Sequence, residues 1–356
     1  MSTRAGMGDH GPGGGSLRRQ RQLGRWAGRA AAGPGPLEVP AGVPVEALAR
    51  YLEGHRLAPR VGGRLLRRDL EPAPGQAGAE LERRLTAAHR KCLAEDALFT
   101  QVLGDLGERA AAAGVPLVLL KGADLASRLY RPGERPRNDV DLLVRPGDLQ
   151  VLEEILRATG FRPDHPDPAR ARAHWFAVTW RHGTRPRVQV DLHWNLARPG
   201  RARWNLDRVF GRTEEVPGLP GFRRLERHDL ACHLALHAVA FHGAFGRHLW
   251  WLDVHLLAPG LDEGTLARRA RETGAGVAWQ VAEARARELF GPPAAGPRGR
   301  AAAILRIARH WEGRGDARAG RWLVALLAVD PPWQAARVAL DVARRTVVPH
   351  RGGRRA

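Results

Sequence analysis

Cysteine is nearly absent from this 356-residue chain, which contains only Cys92 and Cys232. Two cysteines in a chain of this length cannot build the disulfide framework of a small secreted domain. Both lie within helical patterns of apolar residues, so we expect buried, reduced thiols. Reduced thiols are typical of a cytoplasmic protein.

Long apolar runs are also missing. No stretch approaches the ~18 apolar residues that a membrane-spanning helix needs. Arg18 and Arg19 resemble a twin-arginine export signal, but the following residues, GRWAGRAAAGPGP, are interrupted by Arg, Gly and Pro. The sequence therefore predicts neither a membrane span nor an export signal of this type.

Lysine is as scarce as cysteine, because the chain contains only Lys91 and Lys121 but 55 arginines. The net charge is +20. A charge of this size suggests nucleic acid or another anionic partner. The arginines are scattered rather than gathered on one helix, and Ala, Gly, Pro and Arg dominate throughout, as in proteins from GC-rich genomes. Nucleic-acid binding is therefore possible but not favoured.

Composition and hydrophobic periodicity divide the chain into four parts. Residues 1–36 are rich in Gly, Arg and Pro and are predicted to be a disordered basic tail. Residues 37–114 form an N-terminal helical region with a long amphipathic helix. Residues 115–215 form the predicted catalytic domain, and residues 216–356 form a C-terminal helical domain.

The predicted catalytic domain alternates strands and helices. VPLVLLK, from Val115 to Lys121, is a continuous apolar run typical of a strand buried on both faces. A helix, the strand DVDLLV, a second helix and a hairpin formed by FAVTWRHG and RVQVDLHW follow. This order predicts the α/β (α+β) class, with a small mixed sheet and helices packed on it. Further helices are predicted near 227–242, 248–258, 263–289, 298–312, 318–329 and 333–346.

Asp139 and Asp141 carry the clearest chemical signal. Residues i and i+2 of a strand point to the same face, ~6.5–7 Å apart. Two carboxylates so placed repel each other unless a cation lies between them, and Mg²⁺ accepts such ligands together with phosphate oxygens. A D-x-D pair alone is a weak signal, because exposed aspartates in turns are common.

Asp191 strengthens this signal, since it alternates with Val190 in VQVDLHW and shares a face with His193. If this strand neighbours the D-x-D strand, three carboxylates converge on one metal site. The alternative is that Asp191 is a solvent-facing residue of an edge strand. Three clustered carboxylates should raise at least one pKa. Replacing Asp141 by Asn is then expected to leave the metal-free protein at least as stable.

Four further residues are candidates for nucleotide binding. Lys121 and Gly122 lie where a buried strand meets a helix, so free backbone amides and one mobile charge can hold phosphate. Arg135 and Arg137 precede the D-x-D pair and could bind a triphosphate by bidentate contacts. The alternatives are a strand-end lysine reaching solvent and solvated loop arginines.

The stretch LLKGADLASRLYRPGERPRNDVDLLVRPGDL, with VDLHW and HLWWLDVHLL, resembles the uncharacterised nucleotidyltransferase-like family of the polymerase-beta-type superfamily. The resemblance runs from about residue 85 to about 330. It implies that Asp139, Asp141 and Asp191 bind Mg²⁺ or Mn²⁺ and support transfer of a nucleoside monophosphate from an NTP. Lys121-Gly122 stands where the superfamily usually has Gly-Ser.

The sequence leaves the acceptor open, with a small molecule, RNA or a protein hydroxyl as candidates. Two other functions also remain. One is a non-catalytic nucleotide-binding or regulatory protein, which the missing serine favours and the three acids oppose. The other is a basic nucleic-acid-binding protein that uses the arginine-rich tail.

Overall fold

A computed structural model describes residues 14–165, 175–185, 188–198, 200–292, 295–311, 318–329 and residue 336. It confirms the predicted α/β (α+β) class, because a mixed sheet is covered by helices on both faces. The predicted helix near 333–346 falls almost wholly outside the described residues.

The prediction of a disordered N-terminal tail is wrong for residues 14–32, which form helix α1 (Gly14–Ala32). Its buried face consists of Leu23, Trp26, Ala27, Ala30 and Ala31. This face packs in one core cluster with residues of the next helices. The high Gly and Arg content obscured an apolar stripe at helical spacing.

Three helices separate α1 from the sheet: α2 (Val45–Gly54), α3 (Ala58–Leu66) and the long α4 (Gly75–Ala112). The last of these confirms the predicted long amphipathic helix, with Leu81, Leu85 and Leu106 buried along it.

The described residues form one sheet of seven strands, in the order β3-β4-β5-β2-β1-β7-β6. The strands are β1 (Leu117–Leu120), β2 (Val140–Leu143), β3 (Phe161–Pro163), β4 (Ala177–His182), β5 (Gln189–His193), β6 (Glu214–Glu215) and β7 (Phe222–Arg224). Strand β2 pairs parallel with β5 and antiparallel with β1, while β7 pairs parallel with β1. The sheet therefore extends past residue 215, the predicted end of the catalytic domain. The division of the chain into four domains stays a prediction.

Helices α5 (Lys121–Leu129), α6 (Leu149–Ala158) and α7 (Leu206–Arg212) connect the strands. The remaining α-helices of the described residues are α8 (Arg227–Ala235), α9 (His248–Leu257), α10 (Glu263–Thr273), α11 (Gly276–Phe290), α12 (Gly299–Trp311) and α13 (Arg318–Leu327). A π-helical turn, Leu236–Phe241, continues α8. The single helix predicted over 263–289 is two helices, because Gly274 adopts a left-handed φ of 77° and ends α10.

Alternation along the strands assigns the two faces of the sheet. Leu119 and Leu142 belong to the core that includes α4 and α6, whereas Val118 and Leu143 belong to the core that includes α8, α9 and α11. Asp141 shares its face with Leu143, so it lies beneath the C-terminal helices.

The two cysteines are free and buried, as the sequence predicts. None of the helices in the described residues is long and apolar enough to cross a lipid bilayer.

Substitution of Trp26 tests whether α1 packs against the rest of the protein. Trp26 is 2% exposed, and its Nε1 donates a hydrogen bond to the carbonyl oxygen of Glu38 at 2.6 Å. We expect Trp26→Ala to lower the free energy of unfolding by ~3–5 kcal/mol, because it leaves a cavity in the core. The exposed neighbour Arg25, changed to Ala, should alter it by no more than ~0.5 kcal/mol. Equal urea denaturation curves for both variants would contradict the packing of α1.

Candidate active site

The parallel pairing of β2 with β5 brings two predicted acids together. Asp141 lies directly opposite Asp191, and Leu143 lies opposite His193. Side chains opposite each other on adjacent strands point to the same face. Asp139 precedes β2 by one residue and lines the same cavity as the other two acids.

Asp141 is buried and contacts two basic groups. Its Oδ1 lies 2.5 Å from Lys121 Nζ and accepts a hydrogen bond from His193 Nε2 at 3.0 Å. Burial alone would raise the pKa of Asp141, but the Lys121 ammonium and the His193 hydrogen bond outweigh burial and hold the pKa below its usual range. Asp141 is therefore ionised in the metal-free protein.

Asp191 is half-buried, and its Oδ1 accepts a hydrogen bond of 2.6 Å from the hydroxyl of Thr179. Asp141, Asp191 and His193 each present one ligand atom, and these atoms lie within 4.8 Å of one another. Two carboxylates and an imidazole are a chemically suitable donor set for a divalent ion. Lys121 competes for Asp141, because its ammonium already contacts one carboxylate oxygen.

Asp139 differs from Asp141 in its ionisation. Burial raises the pKa of Asp139 to about 6, and the charges of Asp141 and Asp191 add to this effect. The sequence predicts a raised carboxyl pKa from repulsion alone, whereas burial is the larger cause at Asp139 and repulsion the smaller. The neighbouring charges destabilise the ionised form of Asp139, not that of Asp141. We therefore no longer expect the Asp141→Asn variant to be as stable as wild type.

The turn from β1 to α5 places Lys121 and Gly122. Lys121 has a φ of 42°, which a non-glycine residue rarely adopts, and such strain is common at functional sites. A Cβ added at Gly122 would lie 3.0 Å from Arg135 Nη1, so glycine permits the close approach of that guanidinium.

The two loop arginines are buried ion-pair partners rather than solvated residues. Arg135 donates from Nε and Nη2 to the carboxylate of Asp253 on α9, at 2.9 and 2.7 Å. Arg137 Nη2 lies 3.2 Å from Asp96 Oδ1, and its guanidinium stacks over Phe99. Both arginines still line the cavity above the carboxylates, so their role in nucleotide binding stays a prediction.

Two cavities meet at the carboxylates. We call the first the arginine cavity, which has a volume of about 310 Å³. Its basic lining residues are Arg56, Lys121, Arg135, Arg137 and Arg247. We call the second the histidine cavity, which has a volume of about 490 Å³. Its ring-bearing lining residues are Phe176, His193, His233, His237, Phe241 and His242. Lys121 and Asp191 line both cavities, so a molecule in each would meet at these residues.

Four lining residues, Arg56, Arg247, His233 and His237, are not among the site residues that the sequence predicts. Arg56 is 65 positions before Lys121 in the chain, and no local motif links the two. The H-x-x-x-H spacing of His233 and His237 did signal one shared face, which lines the histidine cavity.

The sequence is similar to a known protein family. The sequence model of a family described as uncharacterised nucleotidyltransferase matches residues 42–291. Among solved structures, the chain is similar to the antibiotic-resistance factor ANT(2'')-Ia, with 16% identity and a TM-score of 0.36. That similarity covers 49% of this chain and 94% of the other. Among curated proteins, none matches this chain.

The raised pKa of Asp139 predicts a pH-dependent stability. Its ordinary value is 3.8, and its value in the folded protein is about 6. Below pH 3.8 the Asp139 carboxyl is protonated in both the folded and the unfolded protein, so its contribution to stability is fully present. That contribution is lost as the pH rises through about 6. We expect Asp139 to lower the unfolding free energy of the metal-free protein by ~2–3 kcal/mol across this interval, measured as the difference from a variant without this carboxyl. Buried histidines with lowered pKa values, such as His55 and His233, contribute in the opposite sense in both proteins.

Asp139→Asn should abolish that loss, so in EDTA the variant should be more stable than wild type at neutral pH and equal to it below pH ~4. Urea denaturation across this pH range measures the effect. The exposed Asp105, changed to Asn, should behave as wild type. An Asp139 variant that follows the wild-type curve throughout would rule out the raised pKa.

Asp141 should respond in the opposite sense. Asp141→Asn leaves the Lys121 ammonium largely buried without its carboxylate, so we expect a loss of ~3 kcal/mol in EDTA at neutral pH. Adding Lys121→Met should recover part of this loss, because the unpaired charge is removed. An Asp141→Asn variant as stable as wild type would show that the pair does not form.

Proposed function

The chain belongs to the family described as uncharacterised nucleotidyltransferase, whose model matches residues 42–291, and on this premise we propose that it transfers a nucleoside monophosphate from an NTP to an acceptor hydroxyl. The observation that carries the proposal is the in-register pairing of Asp141 with Asp191, where Asp191 lines both cavities and Asp141 lines the arginine cavity.

The arginine cavity suits the triphosphate. The free amides at the start of α5, the Arg135 Nη1 near Gly122 and the charge of Lys121 attract phosphate oxygens. Asp141 and Asp191, grouped with His193, would hold Mg²⁺ or Mn²⁺, and Asp139, which lines the same cavity, would add a third carboxylate. When bound, such an ion neutralises phosphate charge and orients the reacting groups.

Asp191 lines both cavities, which supports its proposed role as the general base. It takes the proton of the acceptor hydroxyl as the oxygen attacks the α-phosphorus. The bond from the α-phosphorus to the bridging oxygen breaks, and pyrophosphate leaves. Thr179 orients the Asp191 carboxylate through its 2.6 Å hydrogen bond.

The alternative is a nucleotide-binding protein without transfer activity. The contact between Lys121 and Asp141 favours it, because the ammonium competes with a metal ion for the same carboxylate. A nucleic-acid-binding protein is the third possibility, supported by the net charge of +20 alone.

Asp191→Asn separates these functions. Each α-labelled NTP is incubated with Mg²⁺ or Mn²⁺ and a cell extract, with wild type or variant added. We expect an acceptor in the extract to gain label with wild type, and the Asn variant to lower the rate at least ~100-fold, because the base is lost. The exposed Asp105→Asn variant should retain the wild-type rate.

Thermal melts with and without metal and NTP accompany this assay. Metal-dependent stabilisation by NTP without label transfer would support the non-catalytic alternative. Retention on heparin with steep salt dependence, and no response to metal and NTP, would select the nucleic-acid-binding protein. Equal transfer by the Asp191→Asn and wild-type proteins would refute the assignment of Asp191.

A further inference from the structure

The histidine cavity and the arginine cavity meet at a junction formed by Lys121, Asp191, His237 and His242, which line both. If the arginine cavity holds the NTP, the histidine cavity is left for the acceptor. This step rests on the proposed function, and the chemistry of the cavity wall then defines the acceptor class.

The charge of the wall is the first observation. Among the described residues of the wall, four are basic, namely Lys121, Arg198, Arg201 and Arg321, and Asp191 at the junction is the only acidic one. A cationic acceptor would be repelled along most of this wall, whereas an anion would be attracted.

Arg198 is held in place by aromatic rings. Its guanidinium lies 4.7 Å from the centroid of Trp175 and 5.8 Å from that of Phe176. Across the described part of the chain, no acidic side chain pairs with it. Stacking fixes the plane of the guanidinium while leaving its edge able to bind a carboxylate or phosphate in bidentate fashion.

His233 adds a buried polar group to the wall. It is 2% exposed, and within the described residues neither of its ring nitrogens has a hydrogen-bond partner. Burial, with the charge of Lys121, lowers the pKa of His233 to about 3, so the ring is neutral. A buried polar side chain without a partner is costly, and a ligand oxygen in the cavity would satisfy it.

We propose that the histidine cavity binds an acceptor with an acidic group, a carboxylate or a phosphate ester, at Arg198 and Arg321, while its hydroxyl reaches Asp191. Phe176 and Phe241, with centroids 6.4 Å apart, give the body of the acceptor an apolar surface. A polycationic acceptor is excluded by the same wall.

Two matched probes test the charge preference. Para-(hydroxymethyl)benzoate and para-(hydroxymethyl)benzylamine share a ring and a hydroxyl and differ in the sign of one charge. Each is titrated into the full chain near neutral pH with ligand-observed NMR, so the readout is binding and not turnover. We expect the benzoate to bind at least about tenfold more tightly than the amine.

Substitutions in the cavity wall test whether Arg198 and Arg321 bind the benzoate. Arg198→Gln and Arg321→Gln should each weaken benzoate binding several-fold, while Arg268→Gln on the exposed side of α10 should not change it. That control removes the same charge at a distance from the cavity. Equal or tighter binding of the amine, undetectable binding of the benzoate, or a preference that both cavity variants retain would overturn the inference.

Competition with NTP separates this inference from the proposed function. Mg²⁺ and a saturating NTP should leave benzoate binding intact, and displacement of the benzoate would assign the histidine cavity to the nucleotide. Failure of NTP to bind with metal would contradict the proposed function. Loss of the anion preference while NTP still binds would contradict only the acceptor class.

Discussion

The parallel register between β2 and β5 sets Asp141 beside Asp191, and a shift of one residue would turn one carboxylate to the opposite face. The register is fixed by apolar neighbours, since Val140 and Val190 are buried together in the core on the other face. The acids therefore lie under the C-terminal helices, where burial makes each negative charge costly. Basic partners on the same face then determine how each acid ionises.

Because of this burial, the two acids of the D-x-D pair differ in their pKa values. Lys121 and His193 contact Asp141 and keep it ionised, whereas burial and two neighbouring carboxylates raise the pKa of Asp139 to about 6. Acids whose environments push their pKa values apart can take different roles in one site. A divalent ion would favour the ionised form of both, so its binding is coupled to the loss of a proton from Asp139 and to the position of Lys121.

Local alternation was enough to predict β1, β2, β4 and β5 and the shared face of Asp191 and His193, because the side chains of adjacent strand residues point to opposite faces. The short strands β3, β6 and β7 were not predicted, and the pairing of β2 with β5 was only a condition of the predicted metal site. Contacts between distant segments were not predictable in this way. The ion pair of Arg135 with Asp253 joins residues 118 positions apart, and no spacing rule connects them. Helix α1 was missed for another reason, since its glycines and arginines concealed the buried stripe around Trp26.

The two sides of the site come from different parts of the chain. The carboxylates belong to the sheet, while His233, His237 and Phe241 in the wall of the histidine cavity belong to α8 and the π-helical turn after it. A π-helical turn alters the direction in which side chains project and is frequent at functional sites. Substitutions on this helical segment can thus change the shape and charge of the cavity without disturbing the register of β2 and β5. Under the proposed function, selectivity for the acceptor would therefore be separable from the chemistry of transfer, because the sheet alone does not form the wall of the histidine cavity.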